Sequence, residues 1–224
     1  MYNGFIAKKI ESLITKDDLH LLVTDQLNKK LPIYSWYNYK HSYSEKLVLY
    51  LFKALSIKKD SNFIVLDPFC GAGTTLLAAK KYGIESIGID VMPFSVFISK
   101  AKTENYNIDI LNYGFYRLDN HLNNFSGIVK QFQNKKLLLK SYFSNEILDW
   151  VLYVYSWIVH QHDNSVRLFF MTALFAIIEN ISQMKKDGGF LRKYTRKIDI
   201  KTAKDIFFKQ IENMIEDLVS VVSQ

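Results

Sequence analysis

Phe63-Ile64-Val65-Leu66-Asp67-Pro68-Phe69-Cys70-Gly71-Ala72-Gly73-Thr74-Thr75 decides how this chain folds. Its first four residues form a continuous apolar run, the pattern of a parallel strand buried on both faces. The strand ends on a carboxylate, and a proline, a Gly-x-Gly loop and two threonines that open a helix follow it. Open α/β sheets bind their ligands at this edge, beyond the carboxyl ends of the strands. Twenty-three residues after Asp67 a second short strand, Ser86-Ile87-Gly88-Ile89-Asp90, again ends on an acid. Strands over 63–67 and 86–90 and helices over 74–82 and 94–103 make a β-α-β-α unit. The right-handed crossover such units adopt makes the two strands parallel.

The loop has a definite chemistry. Gly71 and Gly73 tolerate positive φ and let the backbone approach a ligand closely. Thr74 and Thr75 begin the helix, whose first N–H groups lack internal partners and face the loop. No Lys-Ser/Thr pair follows the second glycine, so this is not a phosphate-binding P-loop, and the third glycine of the dinucleotide fingerprint is missing. Gly-x-Gly after a strand also serves as an ordinary tight turn. The whole run Asp67–Thr75, joined to a second acidic strand end at nucleoside-binding spacing, distinguishes the ligand loop from that turn. Cys70 has no base in view that would make it a nucleophile, and it reads as a small residue filling the loop.

Composition sets outer bounds. The 224 residues suffice for one large or two small domains, and 49% hydrophobic residues supply a real core. A single cysteine excludes an internal disulfide and fits a reducing compartment. Five scattered histidines beside one cysteine leave no structural metal site, and His160 and His162 stand two apart, off a common helix face. The first thirty residues carry charges throughout and show no signal-peptide core. The apolar runs 150–159 and 168–178 fall short of the ~18 residues of a membrane span, so a cytoplasmic protein without a membrane partner is expected. A net charge of +7 permits a polyanionic partner without requiring one.

Outside the central unit the pattern is helical. Residues 1–30 read as a helical arm, and 31–44 as a polar, aromatic loop. Ser44 is placed to cap a helix whose apolar face would run through Leu47, Leu51, Ala54 and Leu55. Long helices are expected over 114–134, 145–161, 164–184 and 202–222, the middle two apolar nearly all round, with Ser144 and Asn164 as caps. Trp150, Trp157 and Phe169 belong to a core or an interface. Two strands are too few for a doubly wound sheet, which commonly has five or six.

The loop and the second acidic strand end resemble the S-adenosylmethionine-binding half of the amino methyltransferases that modify adenine N6 or cytosine N4 in DNA. Residues 36–48 (Trp-Tyr-Asn-Tyr-Lys-His-Ser-Tyr-Ser-Glu-Lys-Leu-Val) resemble the segment that closes over the methionine end of the cofactor in that family. Gly88-Ile89-Asp90-Val91-Met92-Pro93 and Ser99-Lys100-Ala101-Lys102-Thr103 resemble its ribose-acid motif and the helix after it. Residues 181–192 are similar to a Ser- and Gly-bearing basic segment of its helical insertion. The resemblance implies an α/β, partial Rossmann-like methyltransferase fold. Residues 1–43 would be an N-terminal arm and cofactor-closing loop, 44–110 the cofactor-binding unit, and 111–224 a helical domain with a basic loop over 185–197.

It also implies a cofactor site made by Tyr37, Lys40, Ser44, Asp67, Pro68, Phe69, Cys70, Gly71, Ala72, Gly73, Thr74, Thr75, Asp90 and Val91. A carboxylate such as Asp67 would suit the cofactor's ammonium, and Asp90 its ribose diol. Tyr37, Tyr39 and Tyr43 suit stacking on a base or cofactor and suit core contact equally. Lys185, Lys186, Arg192, Lys193, Arg196 and Lys197 set six positive charges against one acid within thirteen residues. That run suits a solvated link between helices as well as DNA phosphates, and the resemblance favours double-stranded DNA.

One departure is decisive. The three prolines, Pro32, Pro68 and Pro93, are nowhere adjacent, so the family's Ser/Asn/Asp-Pro-Pro-Tyr/Phe motif, which holds the target amino group, does not occur here. No residue of the chain is expected to be catalytic. The expectation is one subunit of a split, heterodimeric methyltransferase of a restriction–modification system, inactive alone, whose partner completes the sheet and carries that motif. Two other readings stand beside it: a non-catalytic, cofactor-sensing relative, and an RNA methyltransferase subunit with a similar loop.

Overall fold

In the computed structural model, residues 19–39, 42–60, 62–127, 129, 132–187, 190–194 and 197–222 are described, with the backbone alone for 19, 133, 135, 185–187, 190–191 and 222. Of the helical arm expected over residues 1–30, residues 1–18 lie outside them. The chain divides into two compact units, one up to Glu104 and one from Asn105.

The first unit opens with α1 (Leu19–Leu22) and two 3-10 turns, Gln26–Lys30 and Tyr34–Trp36. Helix α2 (Glu45–Ala54) begins where expected, because Ser44 Oγ accepts the backbone N–H of Lys46 at 3.1 Å and Glu45 sits in the first turn. Its buried face is rotated from the expected one. Val48, Phe52 and Ala54 are inside, whereas Leu51 and Leu55 are exposed.

Strand β1 (Ile64–Asp67), helix α3 (Thr74–Lys81), strand β2 (Glu85–Gly88) and helix α4 (Pro93–Thr103) follow. β1 and β2 run parallel, with Val65 opposite Ser86 and Asp67 opposite Gly88. The backbone pairing continues past the strand ends, Ile89 N donating to Asp67 O and Cys70 N to Ile89 O, both at 2.9 Å. Val48 and Phe52 of α2, Ala78 and Ala79 of α3, and Ile84 form the core, with Val65 and Tyr82 packed against it.

That core covers one side of the strands. The expectation that β1 is buried on both faces does not hold. Ile64, Leu66 and Ile87 are 60%, 59% and 53% exposed, and Phe63 and Ile89 beside them are also bare. A continuous apolar run suits two covered faces, and the described residues cover one.

The second unit is helical: α5 (Ile108–Asn123), α6 (Gln133–Leu139), α7 (Asn145–Val159), α8 (Asn164–Ile181) and α9 (Ile200–Val222). The first helix starts earlier than its apolar pattern suggests, because Asn107 Oδ1 caps it by accepting Ile110 N. Ser144 caps α7. Asp163, not Asn164, caps α8, its Oδ1 accepting Ser165 N at 2.7 Å and Val166 N at 3.2 Å. Trp150, Trp157 and Phe169 are core residues, 1%, 7% and 0% exposed, and Trp157 meets Phe170 edge-on at 5.2 Å. Gly114 belongs to the same core: a Cβ there would stand 3.0 Å from the Phe170 ring. Helix α8 is long and apolar enough to cross a membrane, yet over half of it is buried within the unit, as befits a core helix.

The basic segment is a hairpin where a loop was expected. β3 (Met184–Asp187) pairs antiparallel with β4 (Phe190–Lys193), Lys185 opposite Arg192. Gln183 anchors its base, donating from N to Tyr142 O and accepting Tyr194 N at its own carbonyl, each at 2.7 Å.

Candidate cofactor site

The glycine loop is held by contacts that fix its shape. Gly73 lies in the left-handed region at φ 81° and caps α3, and a Cβ on it would stand 2.8 Å from Ser99 Cβ and 2.9 Å from Ser99 Cα. Both the conformation and the close approach therefore require glycine. Gly88 is needed for space alone, since a Cβ would fall 2.5 Å from Leu76 Cδ1. Asp90 braces the loop from the end of β2: its Oδ2 accepts Gly71 N at 2.9 Å and its Oδ1 accepts Met92 N at 2.8 Å. The carboxylate is thus held in a fixed orientation at the loop.

Asp67 is drawn inward. Its Oδ2 accepts the Tyr43 hydroxyl at 2.9 Å and its Oδ1 accepts Phe69 N at 3.1 Å. Burial, above all, pushes the Tyr43 phenol up to about 12, so it remains a donor at neutral pH. The same hydroxyl meets Thr75 Oγ1. Cys70 is buried behind the loop, and burial raises its thiol as well, in keeping with a filler and not a nucleophile.

The segment before α2 folds over the loop. Ser42 Oγ and Thr74 Oγ1 are 2.7 Å apart, Tyr39 Oη and Ser95 Oγ 3.1 Å, and the Tyr37 ring meets Phe94 edge-on at 5.0 Å. Behind it the Tyr34 hydroxyl donates to Glu45 Oε1 at 3.0 Å, and Lys81 bridges to the same carboxylate at 3.3 Å. Between this segment and the loop lies a cavity of about 170 Å³, with Asp25, Asn28, Tyr37, Ala72, Thr74 and Lys102 in its wall.

The structure brings Tyr37, Ala72 and Thr74 to the cavity. Pro68, Gly71, Gly73, Thr75 and Asp90 stand in or beside the loop, and Phe69 and Val91 project from its rim, 84% and 92% exposed. Ser44 is fully buried as the cap of α2, away from the cavity wall. Lys40 lies outside the described residues. Sequence reasoning missed Asp25, Asn28 and Lys102. Lys102 had a signal: it falls four residues after Ile98 and next to Ala101, on the buried face of α4. It is 5% exposed and donates to Tyr34 O at 2.9 Å and Tyr37 O at 3.1 Å.

In the second unit Arg192, Lys193, Tyr194 and Lys197 are exposed on and beside the hairpin. Lys185 and Lys186 are on β3 by backbone alone, and Arg196 and Gly188-Gly189 lie outside the described residues. Among the described residues no group of three acidic, histidine or cysteine side chains could hold a metal.

Comparison with known proteins places the chain among DNA methyltransferases. The DNA methylase family of N6 and N4 amino methyltransferases matches residues 20–101. The type II methyltransferase M.BsoBI of Geobacillus stearothermophilus is 31% identical over 215 residues, covering 85% of this chain and 39% of that protein. M.AvaI of Nostoc is 30% identical over 185 residues, 76% of this chain and 35% of the relative. M.MjaII of Methanocaldococcus jannaschii is 34% identical over 94 residues, 42% of this chain and 17% of its own length. The chain therefore spans less than two-fifths of these relatives. No solved structure matches it. The matched range contains the glycine loop, Asp90 and the segment closing over them, and through residues 20–101 the chain belongs to the N6/N4 amino DNA methylase family.

Proposed function

We propose that this chain is the S-adenosylmethionine-binding part of a DNA adenine-N6 or cytosine-N4 methyltransferase, and that a second polypeptide supplies the Pro-Pro-aromatic motif and the rest of the sheet. The observation that carries the reading is the bare apolar face of β1 and β2, where Ile64, Leu66 and Ile87 stay open beside a fully formed ligand loop. Exposed aliphatic side chains on the face of a parallel strand pair are costly to leave in water, at about 25 cal/mol per Å². Further polypeptide on that face would bury them and would flank the loop where a base must approach.

The residues present fit the cofactor. Asp90 is pinned by two backbone N–H groups in an orientation suited to a diol, and Ala72 and Thr74 of the glycine loop line the adjoining cavity. When bound, S-adenosylmethionine supplies an electrophilic methyl carbon for an exocyclic amino nitrogen. The chain's own part is to orient it: the Tyr43–Asp67–Thr75 contacts hold the loop, and Ser42, Tyr37 and Tyr39 close one side. The target base would be turned out of the duplex to reach the site. Arg192, Lys193 and Lys197, exposed around the hairpin, suit phosphate contacts that position DNA without reading it. A restriction–modification setting accords with the type II methyltransferases it resembles.

Purification from the native cell tests the reading. A near-stoichiometric companion bearing a Pro-Pro-aromatic motif, whose addition turns an inactive chain into a DNA methyltransferase, is the expected result. DNA methylation by the chain alone would overturn the split. A folded chain that binds cofactor and has no companion would favour a cofactor sensor.

A further inference from the structure

We propose that Leu137 and Leu138 form an apolar wedge that enters the base stack of double-stranded DNA held by the neighbouring basic hairpin. The inference deepens the DNA methyltransferase reading and rests on it.

The two leucines are adjacent on α6 and are 64% and 75% exposed, the most exposed aliphatic side chains described in the second unit. The short helix that carries them is firmly held. Lys136, the residue before them, donates from Nζ to both carboxylate oxygens of Asp149, at 2.8 and 2.7 Å. Asp149 sits on α7 and is buried. Phe132, at the start of α6, meets the Tyr155 ring edge-on at 5.3 Å, and Tyr142 N closes the far end on Leu139 O at 2.9 Å. Separating a buried carboxylate from its cation is strongly unfavourable, so α6 stays fixed to α7 and presents the leucines in a set place.

Their surroundings are basic. Tyr142 is four residues beyond Leu138 and so within ~14 Å of it. Its carbonyl accepts Gln183 N at 2.7 Å, at the base of the hairpin. Lys140, Arg192, Lys193 and Lys197 are exposed, and over 134–146 and 190–197 Glu146 is the one acid. Such a set of cations complements a phosphate backbone.

Size then selects the occupant. Two leucines are too few for the core of a protein interface, which buries about 800 Å² on each partner. An apolar contact with DNA needs only one or two side chains, because an aliphatic wedge between base steps unstacks them and kinks the duplex. An enzyme that turns a base out of its helix must meet the cost of unstacking, and apolar surface filling an opened step offsets part of it.

A wedge unwinds the duplex, and a closed circular plasmid relaxed by topoisomerase I with protein bound records this as a change in linking number. The wild-type chain and a Leu137→Ala/Leu138→Ala variant, each purified from the native cell with whatever accompanies it, are compared at saturation on one plasmid. The wild type should leave the plasmid underwound. The variant should lose that shift yet keep the wild-type dependence of duplex binding on salt, because no phosphate contact is removed. Both side chains are mostly in solvent, so the variant should melt as the wild type does. Saturated binding with no change in linking number, or the same change in the variant, would overturn the wedge and leave DNA binding in place. A variant that unwinds DNA normally but no longer recovers a companion would also overturn it, and would make α6 a protein contact. Wild-type protein that binds no DNA would overturn the DNA reading itself.

Discussion

Lys102 carries an ammonium into the interior of the first unit, and burial lowers its pKa to about 7. The unfolded chain keeps the ordinary value near 10.4. Between about pH 7 and 10 the unfolded state therefore holds one proton more, and stability should rise with pH across that window. Thermal melts of the chain should show this rise, and Lys102→Met should flatten it; an unchanged slope in the variant would assign it to other groups. Asp25, Lys29, Tyr34, Tyr37 and Tyr39 are the other titratable side chains in the same cavity wall, and none of them is removed by this substitution. Gly73 makes a second residue-scale case. Gly73→Ala must hold a side chain in the left-handed region and against Ser99 Cα, a cost of about 2 kcal/mol or more, read as a lowered midpoint in urea. The loop and Asp90 were legible because glycines and acids at strand ends announce themselves locally. Lys102 and Asp25 were not, because a cavity wall assembled from four separated segments leaves no local spacing to read.

At the scale of elements, the β-α-β-α order was legible to within a residue or two, since a four-residue strand that ends on Asp67 and a helix that opens at Thr74 are set by neighbours in the chain. The face of α2 was not. Leu51 and Leu55 fit an apolar stripe as well as Val48 and Phe52 do, and only the position of α3 decides between them. The hairpin was hidden for another reason: Met184–Asp187 and Phe190–Lys193 are rich in Lys and Arg and lack the apolar alternation of a half-buried strand. A hairpin presents its charges as a fixed array, whereas a solvated link would not. If the array meets DNA, replacing Arg192, Lys193 and Lys197 by Ala should weaken duplex binding about equally for all sequences. The slope of affinity against salt should fall by about one for each phosphate no longer neutralised. Measured by fluorescence anisotropy in the assembled enzyme, an unaltered slope would remove the hairpin from the DNA surface.

The whole molecule is best understood as two units with different degrees of completion. The second unit is closed around aromatic and aliphatic side chains from four long helices, and the stripe Ala203, Phe207, Ile211 and Met214 of α9 is fully buried there. The first has a complete ligand loop and a two-stranded sheet with one covered face. An isolated pair of strands is marginal in water, and an open edge beside it invites pairing with another chain. Substitution on the bare face separates folding from assembly. Leu66→Lys and Ile87→Lys place charge where the side chains are already more than half in solvent, so each should change the stability of the free chain by no more than about 0.5 kcal/mol. The same lysines, trapped beneath further polypeptide, would have to be desolvated without a partner. The variants should therefore melt like the wild type on their own, yet fail to recover the companion or the methylation activity. Wild-type recovery of both would mean that this face is not where the rest of the enzyme sits.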